Sequence, residues 1–249
     1  MPDTEIEIEL KGKKLLISVP SYDGNIPIEW MYAYMETAAV CAAHGVIVGL
    51  NARVGSSLIP KCRDEIIHQF LFDEAQQPFD YVLCIDADVV WKAEQIPQML
   101  AAAIANKGDT IYGTYPVKID DPLFHIEFTK TTDGKPVING DLFRVNSGAA
   151  GFMLLSRSTL EHMYAKYDDL YYEAKAGSDF NTDKPVCAMF TPGIIRNRYR
   201  GEDIMFSIRL NYAGLKMWLD PRLELAHIGK KRYDHSFKSY LDNVVFKAD

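Results

Sequence analysis

The sequence predicts an α/β domain with a mostly parallel central sheet, helices on both faces and a small antiparallel part in the C-terminal half. Three observations carry that expectation. Apolar β-type runs alternate with helix-type segments through the first half of the chain, the pattern of parallel strands joined by crossover helices. After residue 115 this rhythm breaks and hairpin turn chemistry takes over. The 249 residues are 48% hydrophobic and 24% charged, enough to bury a full core and unlike a disordered, collagenous or repeat protein. At about 150 residues per domain the length suggests one or two domains. With no linker or repeat in view, residues 1–249 read as one domain, of which 13–115 form one half and 116–249 the other.

Lys13 to Val19 reads as the first strand. Pro27 opens a helix to about Ala43, with Trp30, Met31, Tyr34, Met35 and Ala38 at helical spacing, and Gly45 closes it before a strand at Val46 to Leu50. Ser56 or Ser57 is expected to cap a second helix to about Asp73, with Cys62, Ile66, Ile67, Phe70 and Leu71 on one side and Lys61, Arg63, Asp64, Glu65 and His68 on the rest. Tyr81 to Ile85 is the third strand. Ala93 to Asn106 is a helix closed by Gly108, and Thr110 to Tyr115 the fourth strand. Asp133-Gly134-Lys135-Pro136 marks a hairpin. Phe152 to Leu155 reads as a strand, Ser158 to Tyr167 as a helix, and Tyr167 to Arg200 as a long loop of the kind that carries function. A last helix over Asp203 to Ala213 precedes strands at Met217 to Leu219 and Leu223 to His227.

Composition narrows the function classes. The charge sum, 27 − 34 = −7, supplies no global field toward nucleic acid or an anionic bilayer, although local basic patches remain open. The longest nearly apolar run, Ala38 to Leu50, is thirteen residues, where a spanning helix needs about twenty. No transmembrane segment is expected. The start, MPDTEIEIELKGKK, does not read as a secretory signal. Cys41, Cys62, Cys84 and Cys187 form no Cys-x-x-Cys pair and read as reduced core residues, so the expected compartment is cytoplasmic.

Chemistry has three candidate positions. Asp86-Ala87-Asp88 follows a buried-strand run, and ligands of open α/β sheets bind beyond the carboxyl ends of strands, where two carboxylates can hold a hard cation against a diphosphate. A strand-end Asp that turns the chain and caps the next helix is the plain alternative. Glu202 and Asp203 follow Arg200-Gly201 at a helix start, where a carboxylate could deprotonate an acceptor hydroxyl or simply complement the helix dipole. His227 stands at a strand end ahead of Lys230, Lys231 and Arg232, an acceptable Mn²⁺ ligand beside cations suited to a diphosphate, or else a structural imidazole before a solvated turn.

These residues carry a resemblance. The chain resembles nucleotide-sugar glycosyltransferases of the A-type, Rossmann-like fold, especially those related to family 2. Four features stand in the expected order: Ser-Val-Pro-Ser-Tyr-Asp at the end of the first strand, Cys-Ile-Asp-Ala-Asp, the segment Ser147 to Leu155, and Gly-Glu-Asp followed by Trp-Leu-Asp-Pro and His-Ile-Gly. The resemblance implies Pro20, Tyr22 and Asp23 around the nucleoside, and Arg63 near the base or diphosphate. Asp88 would be the main metal carboxylate, Asp86 would hold ribose or the metal, and His227 would complete the coordination. Gly148, Ala149 and their small neighbours through Gly151 would let the backbone approach the donor sugar. Lys230, Lys231 and Arg232 would close over the diphosphate. Asp203, beside Glu202, would be the general base. The implied cofactor is Mn²⁺ or Mg²⁺, the donor a nucleoside-diphosphate sugar, UDP-sugar foremost. The Asp23-Gly24-Asn25 sequence departs from the family's Asn-Glu type ending, and the Gln-x-x-Arg-Trp motif of processive members is absent, so transfer of one sugar, with inversion, is expected.

Two rivals use the same residues. Asp86-Ala87-Asp88-Val89-Val90 matches the nucleophile motif of haloacid-dehalogenase-like phosphatases, but on the third strand instead of the first, with Asp120-Asp121 as the only adjacent Asp pair at a workable distance. A nucleotide-sugar-binding module without turnover is the other. His125-Ile126-Glu127 lacks the Pro-Cys-x-x-Cys that a zinc deaminase requires. For the acceptor, Tyr171, Tyr172, Arg196, Arg198, Tyr199 and Arg200 combine ring faces with guanidinium groups, compatible with a glycan, a protein or a modified nucleobase in DNA.

Overall fold

In a computed structural model of the chain, residues 10–174, 180 and 182–242 are described. The N-terminal stretch examined for a signal, and positions 175–179 and 181 of the long loop, lie outside the described residues. The first half comprises β1 (Lys14–Ser21), α1 (Ile28–Ala43), β2 (Ile47–Val54), α2 (Ile59–Phe72), β3 (Tyr81–Ile85), β4 (Val89–Val90), α3 (Gln95–Ala105) and β5 (Thr110–Tyr112). Then follow β6 (Glu127–Phe128), β7 (Ile138–Asn139), β8 (Leu142–Ser147), β9 (Phe152–Ser156), α4 (Arg157–Lys166), β10 (Tyr171–Tyr172) and β11 (Val186–Cys187). The last elements are β12 (Gly193–Ile195), β13 (Arg198–Arg200), α5 (Glu202–Tyr212), β14 (Met217–Leu219), β15 (Ala226–Ile228), β16 (Arg232–Tyr233) and α6 (Phe237–Tyr240).

One mixed sheet organises the fold, in the order β2-β1-β3-β9-β5-β14-β8-β6, with β7 also on β8. Its parallel core is β2, β1 and β3, and β5 lies parallel to β14. Within this sheet, among the described residues, β9 and β8 run against the rest. The antiparallel part therefore reaches the centre of the sheet, because only Gly148 to Gly151 separate β8 from β9. The link does not reverse the chain: β9 runs on in the direction of β8, but between β3 and β5 instead of beside β14.

Alternation along the strands builds two cores. Leu15, Ile17, Leu83, Ile85, Ile111 and Leu154 face one side with Trp30 of α1 and Met99 and Leu100 of α3. Leu16, Val82, Cys84, Tyr112, Met153 and Leu155 face the other with Ile67 and Phe70 of α2, Leu160 and Met163 of α4, and Phe206 and Leu210 of α5. A period of two sends successive strand residues to opposite faces, and both faces are covered. The four cysteines are free and buried. Among the described residues no helix is long and apolar enough to cross a membrane.

Several element expectations need correction. Neither Ser56 nor Ser57 caps α2, whose N-cap is Leu58 without a side-chain bond; Pro60 in the first turn has no N–H to satisfy. The second strand extends to Val54, the fourth ends at Tyr112, and the strand expected from Leu223 begins at Ala226. The long loop holds two small antiparallel pairs, β10–β11 and β12–β13. The largest departure is α2, where Arg63, Asp64, Glu65 and His68, expected on a polar face, are all buried. Each has a partner. The Arg53 guanidinium donates to Glu65 at 2.9 Å, the Phe190 N–H donates to Asp64 at 2.9 Å, and His68 sits between Tyr164 Oη and Thr182 Oγ1.

Burial pushes the Asp64 carboxyl up to about 8 despite the Phe190 bond. The unfolded chain loses this proton near the ordinary carboxylate value while the folded chain keeps it, so stability should fall as pH rises from about 4 through 8. Urea titrations across that range should show the decline, and Asp64→Asn, which still accepts from Phe190, should flatten it.

Candidate active site

The site lies beyond the carboxyl end of the parallel core. Asp86 follows β3 directly, and its backbone is pinned from both sides: its N–H donates to the Gly151 carbonyl at 2.9 Å, and Trp30 Nε1 donates to its carbonyl at 3.2 Å. Its carboxylate accepts from Arg63 Nη2 at 2.7 Å, and Arg63 Nη1 donates to the Ala150 carbonyl at 3.2 Å. Arg63 is 4% exposed. Burial works against its charge, but the Asp86 and Asp203 carboxylates outweigh that penalty and raise its affinity for the proton.

Asp203 reaches the same guanidinium from α5. Burial above all, with the neighbouring Glu202 and Asp86, pushes its carboxyl up to about 7 against the pull of Arg63. Its Oδ1 is buried without a hydrogen-bond partner in the described structure. The first turn of α5 is held in place by Ser207, whose hydroxyl donates to the Asp203 carbonyl at 2.9 Å and contacts the Tyr112 hydroxyl and the Gly148 N–H. Glu202 is half-buried and hydrogen-bonds Asp203.

Asp88 belongs to a second group. The small sheet β16-β15-β4 pairs His227 with Val89, and the Ile228 N–H donates to the Asp88 carbonyl at 2.7 Å. His227 Nδ1 lies 3.0 Å from the Pro116 carbonyl, which can only accept, so Nδ1 carries the proton and Nε2 is turned to Asp88 Oδ2 at 3.4 Å. Lys118 Nζ also reaches Asp88 Oδ2, at 2.5 Å. Burial opposes ionisation here, but His227 and Lys118 outweigh it and hold the Asp88 carboxyl down at about 2. A carboxylate favoured in its ionised form beside an imidazole nitrogen is a donor pair that fits a divalent cation of the Mn²⁺ or Mg²⁺ type. Asp86, bonded to Arg63, lies apart from that pair, and among the described residues no group of three or more such side chains is placed to hold a metal.

The remaining expected residues divide clearly. Pro20 is buried at the end of β1, and Tyr22 beyond it is 65% exposed. The Asp23 carboxylate accepts from the Asn25 N–H at 3.0 Å and so closes its own turn. Gly148 and Gly151 are small for packing reasons. A Cβ on Gly148 would strike the Tyr112 ring, and one on Gly151 would strike the Tyr115 hydroxyl and the Asp86 carboxylate. Ala149 between them is half-buried. Lys230, Lys231 and Arg232 lie at the turn of the β15–β16 hairpin, where Lys231 pairs with Asp120 and Arg232 with Asp234. Asp120 pairs with Lys231 and Asp86 with Arg63.

Tyr115 and Lys118 were missed by sequence reasoning. Tyr115 stacks edge-on against His227 with ring centroids 4.9 Å apart and feels Asp86, Asp203 and Asp88, while burial first of all drives its hydroxyl well above the usual tyrosine range. Its position just past β5, beside the Asp86 strand group at the same sheet edge, was the available signal.

No family model matches the chain, and no curated protein matches it. Among solved structures the chain is similar to GalNAc-T7 with UDP, GalNAc and Mn²⁺, at 10% identity and a TM-score of 0.45, covering 87% of this chain and 44% of that one. It is also similar to a glycosyltransferase involved in the glycosylation of the major capsid of PBCV-1, at 12% identity and a TM-score of 0.33, covering 60% and 62%. The chain spans less than half of the first protein and under two thirds of the second.

Arg63→Gln leaves Asp86 without its counter-charge inside the fold. Breaking such a pair costs about 3 to 5 kcal/mol when both partners are buried, and the lower end applies here because the Asp86 side chain is 26% exposed. Chemical denaturation should show that loss. Arg63→Met, with no polar group to strand, should destabilise no less, since Asp86 stays unpaired.

Proposed function

We propose that the chain is a glycosyltransferase that moves one sugar from a nucleoside-diphosphate sugar, UDP-sugar foremost, to an acceptor hydroxyl with inversion. One observation carries this reading: a buried carboxylate, Asp203, held near neutrality with an unpartnered oxygen, opposite a cation-suited pair, Asp88 and His227, at one sheet edge. A general base works best with a pKa near the operating pH, and desolvation has brought Asp203 to that range. Its Oδ1 would accept the proton of the acceptor hydroxyl as that oxygen attacks the sugar. Asp88 and His227 would hold Mn²⁺ or Mg²⁺, which supplies positive charge for the leaving diphosphate. Lys230, on the β15–β16 turn, would meet that charge, and exposed Tyr22 offers a ring face for the nucleoside. A cytoplasmic setting belongs to this reading, supported by four separate buried thiols. A binding module without turnover is disfavoured because leaving one buried oxygen of Asp203 without a partner carries a cost that binding alone does not explain.

Asp203→Asn should lower turnover by about 10²- to 10⁴-fold while UDP affinity in Mn²⁺ stays within a few-fold. The folded pKa is raised, so ionised Asp203 destabilises the fold as pH climbs from about 4 past 7; the Asn variant should be at least as stable as wild type at pH 8. Wild-type turnover should rise with pH through about 7. Retained turnover in Asp203→Asn would dismiss it as the base, and Glu202→Gln identifies the alternative.

Asp88→Ala and excess chelator should each abolish transfer and donor hydrolysis, measured as UDP release. Full activity in chelator would end the cation reading.

A further inference from the structure

The chain has ten arginines, and seven of them have a partner inside the molecule. Arg53, Arg63, Arg222 and Arg232 pair with carboxylates, Arg157 and Arg209 donate to backbone carbonyls, and Arg144 lies over the Trp218 ring. Arg196, Arg198 and Arg200 have no hydrogen bond, ion pair or ring contact among the described residues. All three stand within residues 196–200 of the β12–β13 hairpin, in a protein of net charge −7. The Arg200 Nε is buried and unpartnered. A guanidinium rarely gives up water without an acceptor in return.

The hairpin forms one wall of a groove of about 420 Å³. Arg196 and Arg200 line it together with Ile204, Ile208, Asn211 and Tyr212 of α5. The opposite wall is Glu127, Asn146 and Ser147. Arg200 and Ile204 bracket Glu202 and Asp203, so the groove opens within one residue of the proposed base. Its lining combines amides, a hydroxyl, one carboxylate, one exposed tyrosine ring and two uncompensated guanidinium groups. Amides and hydroxyls match sugar hydroxyls, a ring face matches a pyranose C–H face, and a guanidinium fork matches a carboxylate or phosphate oxygen pair.

We infer that this groove seats the acceptor and that the acceptor is an acidic oligosaccharide, its anionic group held by Arg196 and Arg200. The inference rests on the glycosyl-transfer reading for its word acceptor, and on the groove alone for the acidic sugar. A nucleic acid is a poorer match, since phosphate backbones are held by extended rows of cations, and here a carboxylate, Glu127, lines the same short groove as the two arginines.

Calorimetric titration of the full chain with oligogalacturonate and with oligosialic acid tests this, against a carboxyl-reduced neutral oligosaccharide and a short single-stranded oligodeoxynucleotide. At least one acidic oligosaccharide should bind about tenfold or more tighter than the neutral one. Arg196→Gln and Arg200→Gln should each weaken it by about tenfold, while Arg198→Gln, outside the groove lining, should change it less than threefold. The three variants should keep the wild-type melting temperature within a few degrees, since none loses an internal partner. No binding by either acidic sugar, equal binding of the neutral one, preference for the oligonucleotide, or an equal loss in Arg198→Gln would each overturn the inference. The UDP–Mn²⁺ thermal shift is measured in parallel on every variant. If that shift is absent in wild type while the acidic sugar binds as expected, the glycosyl-transfer reading falls and the groove stands; if the shift is present and the acidic sugar does not bind, the groove assignment falls alone.

Discussion

The buried guanidinium of Arg63 is the interaction on which the site depends. It comes from a helix on one face of the sheet, bonds the carboxylate that ends the third strand, bonds the carbonyl of Ala150 in the link between β8 and β9, and lies in the field of Asp203. Four chain segments far apart in sequence meet at one cation. A planar, always charged group with several fixed donors suits such a junction, where a lysine would offer a single point of attachment. The arrangement also sets the two aspartates apart chemically. Asp86 gains a short bond to the cation; Asp203 gains only its distant field and keeps a desolvated oxygen.

The rest of the fold positions this junction. Gly151 brings the β8–β9 link against Asp86 so closely that no side chain fits, and the same residue accepts the Asp86 N–H through its carbonyl. That close approach depends on β9 running antiparallel between β3 and β5. The minor sheet then adds the second charge group: pairing β15 with β4 places His227 beside Asp88 and turns Asp88 away from Asp86. Two neighbouring acids in one tripeptide thus serve different partners. Successive side chains of an extended segment point to opposite sides, so residues two apart would ordinarily share one; the turn at Ala87 and Asp88 breaks that pattern.

Period and turn chemistry made much of the architecture legible. The strand Tyr81 to Ile85, the helix starts near Pro27 and Glu202, and the strand Met217 to Leu219 follow from local pattern, because each is a continuous apolar or amphipathic run with a clear boundary. What local pattern misreads is α2. Arg63, Asp64, Glu65 and His68 have the composition of a solvated face, yet each is satisfied by a group distant in sequence, such as Glu65 by Arg53 or Asp64 by the Phe190 N–H. Polarity in a sequence signals exposure only when no partner is available, and partners are a property of the assembled fold. The candidate site was legible as a list of Asp86, Asp88, Asp203 and His227 but not as a grouping. Spacing could not say that Asp86 belongs with Arg63 and Asp88 with His227.

The same reasoning explains why the basic hairpin is informative. Among the arginines the common fate is to be absorbed: Arg53 by Glu65, Arg63 by Asp86, Arg222 by Asp220 and Asp141. Three arginines that remain without one, on a two-stranded projection with exposed Ile194 and Tyr199 on its other face, are held apart by the hairpin itself. Cross-strand pairing sets Ile195 beside Arg198 and Gly193 beside Arg200, and the left-handed residues Arg196 and Asn197 make the turn. Asp203 and Arg200, three residues apart on either side of the start of α5, are left with opposite needs: one buried carboxylate oxygen lacks a donor and one buried guanidinium nitrogen lacks an acceptor.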